Sequence, residues 1–255
     1  MYIDTHCHLH DEKLVDINTV VDDYQRDNVS KVINMGCCYK TSEIGRELSE
    51  KFDSIYFATG YHPGDIDDFN DSDLDKMKSL AMHEKCVAIG EIGLDYYWRK
   101  DNREKQKESF IKQLELANEL HLPVSIHCRD ATADMLAILK DNKSKLTYGG
   151  VMHCFSGSKE TATELLKLGL YISFSGTVTF KNAANLKEVA RFVPEDKCLT
   201  ETDCPYLAPH PLRGTVNSPK NIPIILACVA GLKGIDHLIF ADRVMKNAKN
   251  LFNKL

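Results

Sequence analysis

The sequence predicts an α/β fold, a TIM-type (β/α)8 barrel built as a single domain over residues 1–255. Three observations carry that expectation. Eight short β-rich runs alternate with amphipathic helical stretches. The residues ending those runs are spaced at close to the length of one βαβ unit. Polar residues competent to bind metal gather at the same ends, the face on which barrels of this kind place their active sites.

The runs cover residues 2–3, 31–35, 55–59, 87–89, 124–126, 150–152, 171–174 and 198–200. The residues that end them are His8, Gly36, Gly60, Glu91, His127, His153, Gly176 and Asp203, with gaps of 28, 24, 31, 36, 26, 23 and 27 residues. A βαβ unit takes about 30 residues, so eight units close a barrel. Between the runs, residues 104–120 place Phe110, Leu114, Ala117 and Leu120 near one helical face. Ser158 is a candidate N-cap for a helix carrying Leu165, Leu166 and Leu168, which stops at Gly169. Residues 236–255 read as a last amphipathic helix. An open doubly wound sheet predicts fewer strands and a Gly-rich phosphate turn after the first; Asp4-Thr-His-Cys-His8 is no such turn.

Composition narrows the class. With 43% hydrophobic and 27% charged residues, the 255-residue chain has material for a large core, which excludes disordered, collagenous and disulfide-stapled classes. Lys and Arg number 32 against 37 Asp and Glu, a net charge of −5 that argues against a broadly basic nucleic-acid surface. The apolar stretch 222–232 is too short to span a bilayer and holds Pro223 and Gly231, so no membrane association is expected. The start, Met-Tyr-Ile-Asp-Thr-His, has no basic or apolar leader segment. Nine cysteines without Cys-x-x-Cys spacing read as reduced thiols of a cytoplasmic protein, a monomer or weak oligomer.

His6 and His8, two apart on a strand, project to one face. With Glu91, His127, His153 and Asp203 they bring six nitrogen or oxygen donors to one mouth. A single tetrahedral catalytic ion uses three protein ligands, so six suit two divalent ions about 3.5–4 Å apart, with Glu91 as the bridge. Imidazole favours Zn or Mn, whereas phosphoryl chemistry often uses Mg. His10, His83, His121, His210 and His237 lack that placement and read as surface or structural residues. Cys7, Cys128, Cys154 and Cys204 each follow a proposed ligand, and strand alternation turns such residues outward as packing groups.

The chain resembles the TatD family of metal-dependent deoxyribonucleases within the amidohydrolase superfamily. The resemblance rests on six ordered motifs: Tyr2-Ile-Asp-Thr-His-Cys-His-Leu9, Gly60-Tyr-His-Pro63, Gly90-Glu-Ile-Gly-Leu-Asp-Tyr-Tyr97, Pro123-Val-Ser-Ile-His-Cys-Arg-Asp130, His153-Cys-Phe-Ser-Gly157 and Glu201-Thr-Asp-Cys-Pro205. It implies a TIM-type barrel, a divalent-metal centre on those six ligands, and DNase or 3′-exonuclease activity. The chain departs from the family pattern at His10, at Ser218 and in the placement of Asp134. These positions bear on substrate choice more than on chemistry.

The expected reaction is attack of a metal-activated hydroxide on phosphorus, with Asp203 as ligand and proton acceptor. Glu201 either assists as a base or holds a ligand in place. Arg129 and Arg213 are the candidate phosphate contacts, because a guanidinium fork matches phosphate oxygens. His62 either orients a phosphate oxygen or caps its loop. Trp98, in the loop Asp95-Tyr-Tyr-Trp-Arg-Lys100, is a candidate for stacking single-stranded bases. The expected substrate is nucleic acid, as single-stranded DNA or strand ends. Two rivals are a hydrolase of a small amide, lactone or aminoacyl ester on the same site, and a non-catalytic metal-stabilised barrel.

Overall fold

The computed structural model describes residues 1–67 and 69–255. Its strands are β1 Tyr2–Cys7, β2 Val29–Met35, β3 Ile55–Thr59, β4 Cys86–Asp95, β5 Val124–Arg129, β6 Gly150–Met152, β7 Tyr171–Phe174 and β8 Cys198–Thr200. They lie side by side in chain order, and every pair is parallel. The helices are α1 Ile17–Arg26, α2 Tyr39–Lys51, α3 Asp71–Ala81, α4 Arg103–Glu119, α5 Thr132–Asp141, α6 Lys159–Lys167, α7 Ala184–Phe192, α8 Ile222–Lys233 and α9 His237–Leu251. This is the (β/α)8 barrel that the spacing predicts.

Strands β3, β6, β7 and β8 begin and end where the apolar runs do. Strands β1, β4 and β5 continue past those runs, to Cys7, Asp95 and Arg129. The ladder is made by backbone groups, so it does not stop where side chains turn polar. Two bulges sit in these extensions. From Ile89 to Ile92, β4 advances three residues while β5 advances two, from Val124 to Ile126. From Asp4 to Cys7, β1 likewise advances three while β2 advances two, from Val32 to Asn34. A bulge re-aims a side chain, and these two carry Glu91 and His6.

The β8–β1 seam is closed by individual hydrogen bonds. The Asp203 N–H donates to the His6 carbonyl at 3.0 Å and the His8 N–H to the Cys204 carbonyl at 2.8 Å. Buried Asp4 accepts from the Thr202 N–H at 2.9 Å and the Thr202 hydroxyl at 2.5 Å. These contacts set His6, His8 and Asp203 relative to one another.

The helices shield the barrel. On α4, Phe110, Leu114 and Ala117 are buried, while Leu120 is its partly buried cap. Burial of each large side chain contributes about 1.5–3 kcal/mol. Ser158 caps α6 by accepting from the Thr161 N–H, and Gly169 follows that helix at φ +85°, a conformation open to glycine. The apolar stretch at 222–232 lies in α8, with Pro223 in the first turn, where its missing N–H costs nothing. Among the described residues, no single helix is long and apolar enough to cross a membrane.

Candidate metal centre

Glu91 is buried at the floor of a cavity of about 730 Å³ on the C-terminal face of the strands. Its Oε1 lies 2.8 Å from both His127 Nδ1 and His153 Nε2. Its Oε2 lies 3.3 Å from His6 Nε2 and 3.5 Å from His8 Nε2. Asp203 Oδ1 completes the second group, 3.3 Å from His8 Nε2 and 3.7 Å from His6 Nε2. The six donors therefore fall into two sets that share one carboxylate. His6 and His153, one from each set, stack with ring centroids 3.9 Å apart.

The hydrogen bonds behind the imidazoles decide which nitrogen carries the proton. His127 Nε2 faces Asp95 Oδ2 at 3.1 Å, and His153 Nδ1 faces Glu201 Oε1 at 3.3 Å. Carboxylates only accept, so those nitrogens carry hydrogen, and a ring that is neutral turns its lone pair inward. His127 Nδ1 and His153 Nε2 are 3.2 Å apart, each against Glu91 Oε1. Glu91 Oε1 is thus met by two inner nitrogens that either carry protons as imidazolium, which the buried carboxylates favour, or give their lone pairs to a metal cation. The donor set thus fits the metal that the family resemblance implies.

The titration behaviour agrees. Burial opposes charge on Glu91, but His153, His62 and His6, with the His127 hydrogen bond, hold it well below the carboxylate range. Burial opposes charge on Asp203 too, and His8, His6 and His153 hold its carboxyl down. Burial pulls His153 down, yet Glu91 and Glu201 hold it well above the usual imidazole value. His8 is held well up against burial by Cys37, Asp203 and Glu91. Buried carboxylates draw positive charge into this floor from every available source.

Helix α4 positions the wall through two buried glutamines. Gln106 grips the Asp95 backbone, accepting from its N–H at 2.8 Å and donating to its carbonyl at 2.9 Å. Gln113, seven residues and two turns on, grips Tyr61 in the same way at 2.8 and 3.1 Å, beside His62. The Glu91 N–H is tied to the Gly36 carbonyl at 2.8 Å. Gly60 abuts this segment: a Cβ there would stand 2.5 Å from the Gly90 carbonyl carbon and 2.8 Å from the Glu91 nitrogen.

His62, Trp98 and Arg129 line the cavity with the six donors' mouth. The His62 Nδ1 accepts the Gly64 N–H at 3.0 Å, so its Nε2 carries the hydrogen, 3.7 Å from Glu91 Oε1. Burial and neighbouring His127 push His62 down to about 3, leaving it neutral. The Arg129 guanidinium lies 4.0 Å from the Tyr97 ring centroid and 5.4 Å from that of Trp98. Arg213 instead stacks on Phe180, 4.6 Å away, and is not among the residues lining the cavity. Glu201 is committed behind the donors, accepting the Cys154 N–H at 2.6 Å as well as facing His153.

Several expectations need correction. Cys7 and Cys204 are buried, but Cys128, still within β5, and Cys154, two residues past the end of β6, line the cavity. Cys154 stands at φ +42°, which rotates it off strand alternation. His10, read as surface or structural, also lines the cavity, its ring 5.5 Å from that of His8. Asp95, Cys37 and Tyr206 line it too, and none of the three is among the residues expected from the sequence. Asp95 has a signal in the sequence, since it shares strand parity with Glu91. Cys37 Sγ lies 3.7 Å from His8 Nδ1 and comes from the loop after β2, where parity says nothing.

Comparison with known proteins gives a consistent picture. A family model described as TatD related DNase matches residues 3–253. The uncharacterized metal-dependent hydrolase YabD of Bacillus subtilis (strain 168) is 44% identical over 99% of both chains. The 3′-5′ ssDNA/RNA exonuclease TatD of Cronobacter sakazakii is 36% identical, over 89% of this chain and 88% of its own. The crystal structure of YjjV, a TatD homolog from Escherichia coli K12, superposes with a TM-score of 0.94 at 29% identity, covering 99% of this chain and 98% of that one. On sequence and on fold, the chain belongs to the TatD-related DNase family.

Proposed function

We propose that this chain is a divalent-metal-dependent hydrolase of nucleic-acid phosphodiesters, a deoxyribonuclease of 3′-exonuclease type acting on single-stranded DNA or strand ends. Two ions per subunit, Mg, Mn or Zn, would be held by His6, His8 and Asp203 on one side and His127 and His153 on the other, with Glu91 between. The observation that carries this reading is Glu91, whose two oxygens each face a separate imidazole pair beneath a wall bearing Arg129 and Trp98. Bound divalent ions supply Lewis-acid stabilisation of phosphoryl charge and lower the pKa of water from 15.7 to about 7.

The chain's own residues do the rest. Asp203, the more exposed of the two cavity carboxylates, would accept the proton of the attacking water, and the more enclosed Glu91 would be shared between the two ions. Glu201 holds the His153 ring through Nδ1. His62, neutral with its hydrogen on Nε2, donates to a phosphoryl oxygen. Arg129 offers two N–H groups to the phosphate while its plane rests on Tyr97. Asp11, Glu91, Asp95 and Asp203 also line the cavity, so a polyanion needs the cations' charge to enter. That reconciles a net charge of −5 with a nucleic-acid substrate. The free thiols suit a reducing compartment, and we place the protein in the cytoplasm.

The test is digestion of end-labelled single- and double-stranded DNA and RNA by metal-defined protein, beside a panel of esters, lactones and amides. Metal-dependent shortening of single strands from the 3′ end, absent in Glu91→Ala, is expected. Turnover of a lactone or amide without oligonucleotide shortening would move the assignment to the small-substrate hydrolase. A 730 Å³ cavity also admits such a substrate.

A further inference from the structure

The mouth of the cavity carries a second aromatic residue opposite Trp98. Tyr206 lines the same cavity and is 44% exposed. It follows β8, near Lys13 from the loop after β1, whereas Trp98 and Arg129 come from the ends of β4 and β5. In a ring of eight strands in chain order, β8 and β1 stand across from β4 and β5. The two walls are built alike. Lys13 Nζ lies 4.3 Å from the Tyr206 ring centroid, as Arg129 lies against Tyr97 and Trp98. Each platform is fastened to the metal centre. The N–H groups of Tyr97 and Trp98 both donate to Asp95 Oδ1 at 2.9 Å, and Asp95 also holds His127. The Tyr206 N–H donates to the Asp203 carbonyl at 3.0 Å, and its hydroxyl donates to Asp11 at 2.6 Å. The Tyr206 ring stands 6.4 Å from that of His8.

We propose that Tyr206 is a second base-stacking subsite, so that the cleft grips one nucleobase on each side of the scissile phosphate, one on Tyr206 and one on Trp98. The inference rests on the nuclease reading and specifies its substrate. Every nucleobase has a π-face, which makes aromatic platforms tolerant of sequence, and a cation beside each platform meets the neighbouring backbone phosphate. Adjacent bases in a duplex strand are stacked about 3.4 Å apart. They cannot reach opposite walls of one cavity without being splayed. The smallest good substrate is therefore an unpaired dinucleotide step, and a paired end must fray before it is cut.

The experiment combines variants with abasic substrates. Short single-stranded oligonucleotides carry an abasic site at one or the other position flanking the scissile bond, and kcat/KM is measured with metal-replete protein. Wild type should lose roughly 5- to 150-fold at either position. Tyr206→Ala should be slowed on the intact oligonucleotide by a similar factor and become indifferent to the abasic site at one position, while keeping its sensitivity at the other. Trp98→Ala should show the mirror pattern, and Tyr206→Phe should keep both sensitivities because it keeps the ring. If Tyr206→Ala fails to fold, Tyr206→Leu, which keeps apolar bulk without a π-face, replaces it. An active wild type whose Tyr206 variants retain both abasic penalties overturns this inference alone. A wild type inert on every oligonucleotide overturns the nuclease reading and this inference with it.

Discussion

His127 and His153 turn their outer nitrogens to carboxylates, Asp95 and Glu201, whereas His6 and His8 turn theirs to a hydroxyl and a thiol. Ser125 Oγ lies 3.4 Å from His6 Nδ1, and Cys37 Sγ lies 3.7 Å from His8 Nδ1. A carboxylate accepts only, so it fixes the tautomer and makes the inner nitrogen a better donor. A hydroxyl or thiol donates or accepts, so His6 and His8 keep both tautomers available. The compensation on that side is Asp203, a carboxylate among the donors themselves. One half of the centre is ordered from behind and the other is charged from the front. The two positions are therefore expected to differ in how they lose metal.

The largest effects should erase that difference. Glu91 faces both halves, and Asp203 serves one half while bordering the cavity. Glu91→Ala should abolish turnover and weaken both ion positions together. Asp203→Ala should abolish turnover while sparing the ion on His127 and His153. Metal content per chain and steady-state rates in metal-replete buffer measure both. Near-wild-type rates for Glu91→Ala would rule out the bridge, and for Asp203→Ala the proton acceptor. A single tight ion restoring full activity to wild type would sink the two-ion reading.

The next effects should fall on one half alone. In Glu201→Ala, His153 Nδ1 and the Cys154 N–H both lose the single carboxylate oxygen, Oε1, that they share. Nothing then fixes the His153 proton on Nδ1, and the inner Nε2 loses the partner that makes it a dependable ligand. Asp95→Asn reverses the tautomer of His127: its Oδ1 stays engaged by the N–H groups of Tyr97 and Trp98, its NH₂ takes the Oδ2 place facing Nε2, and the ring must carry its proton on Nδ1, aimed at Glu91. Each variant should lose about 10- to 100-fold in affinity for one ion. The other ion should stay within threefold or so of wild type, a bound on the same scale of outer-partner effects. Two-site calorimetric titration of metal reads both, and equal weakening of the two sites would contradict the division into halves.

What the sequence reveals of this arrangement follows from where the backbone is regular. The ends of the apolar runs are legible, and His127, His153 and Asp203 lie within three residues past them. Glu91 and His6 are legible as residues, but the bulges that turn them to the floor are not, since a bulge is a property of two paired strands. Gln106 and Gln113 look like solvent-facing helix polarity, and their burial shows only when α4 lies against β4 and Tyr61. Tyr206, His10 and Cys37 come from loops, where periodicity carries no direction.

The smallest effects should come from the side with free tautomers. Ser125→Ala removes a 3.4 Å contact to His6 Nδ1, and Cys37→Ser exchanges a thiol for another group that donates or accepts. Neither substitution dictates where the imidazole proton sits, and the inner Nε2 of each ring remains free to ligate. The ion held by His6, His8 and Asp203 should therefore weaken by less than the roughly tenfold floor expected of the carboxylate variants. Both variants should leave the ion at His127 and His153 untouched, because Asp95 and Glu201 remain in place. The same calorimetric titration provides the measurement. A Ser125 or Cys37 variant that costs as much metal affinity as Asp95→Asn would mean that the hydroxyl and thiol fix their rings as firmly as carboxylates do. The two halves would then differ in composition but not in rigidity.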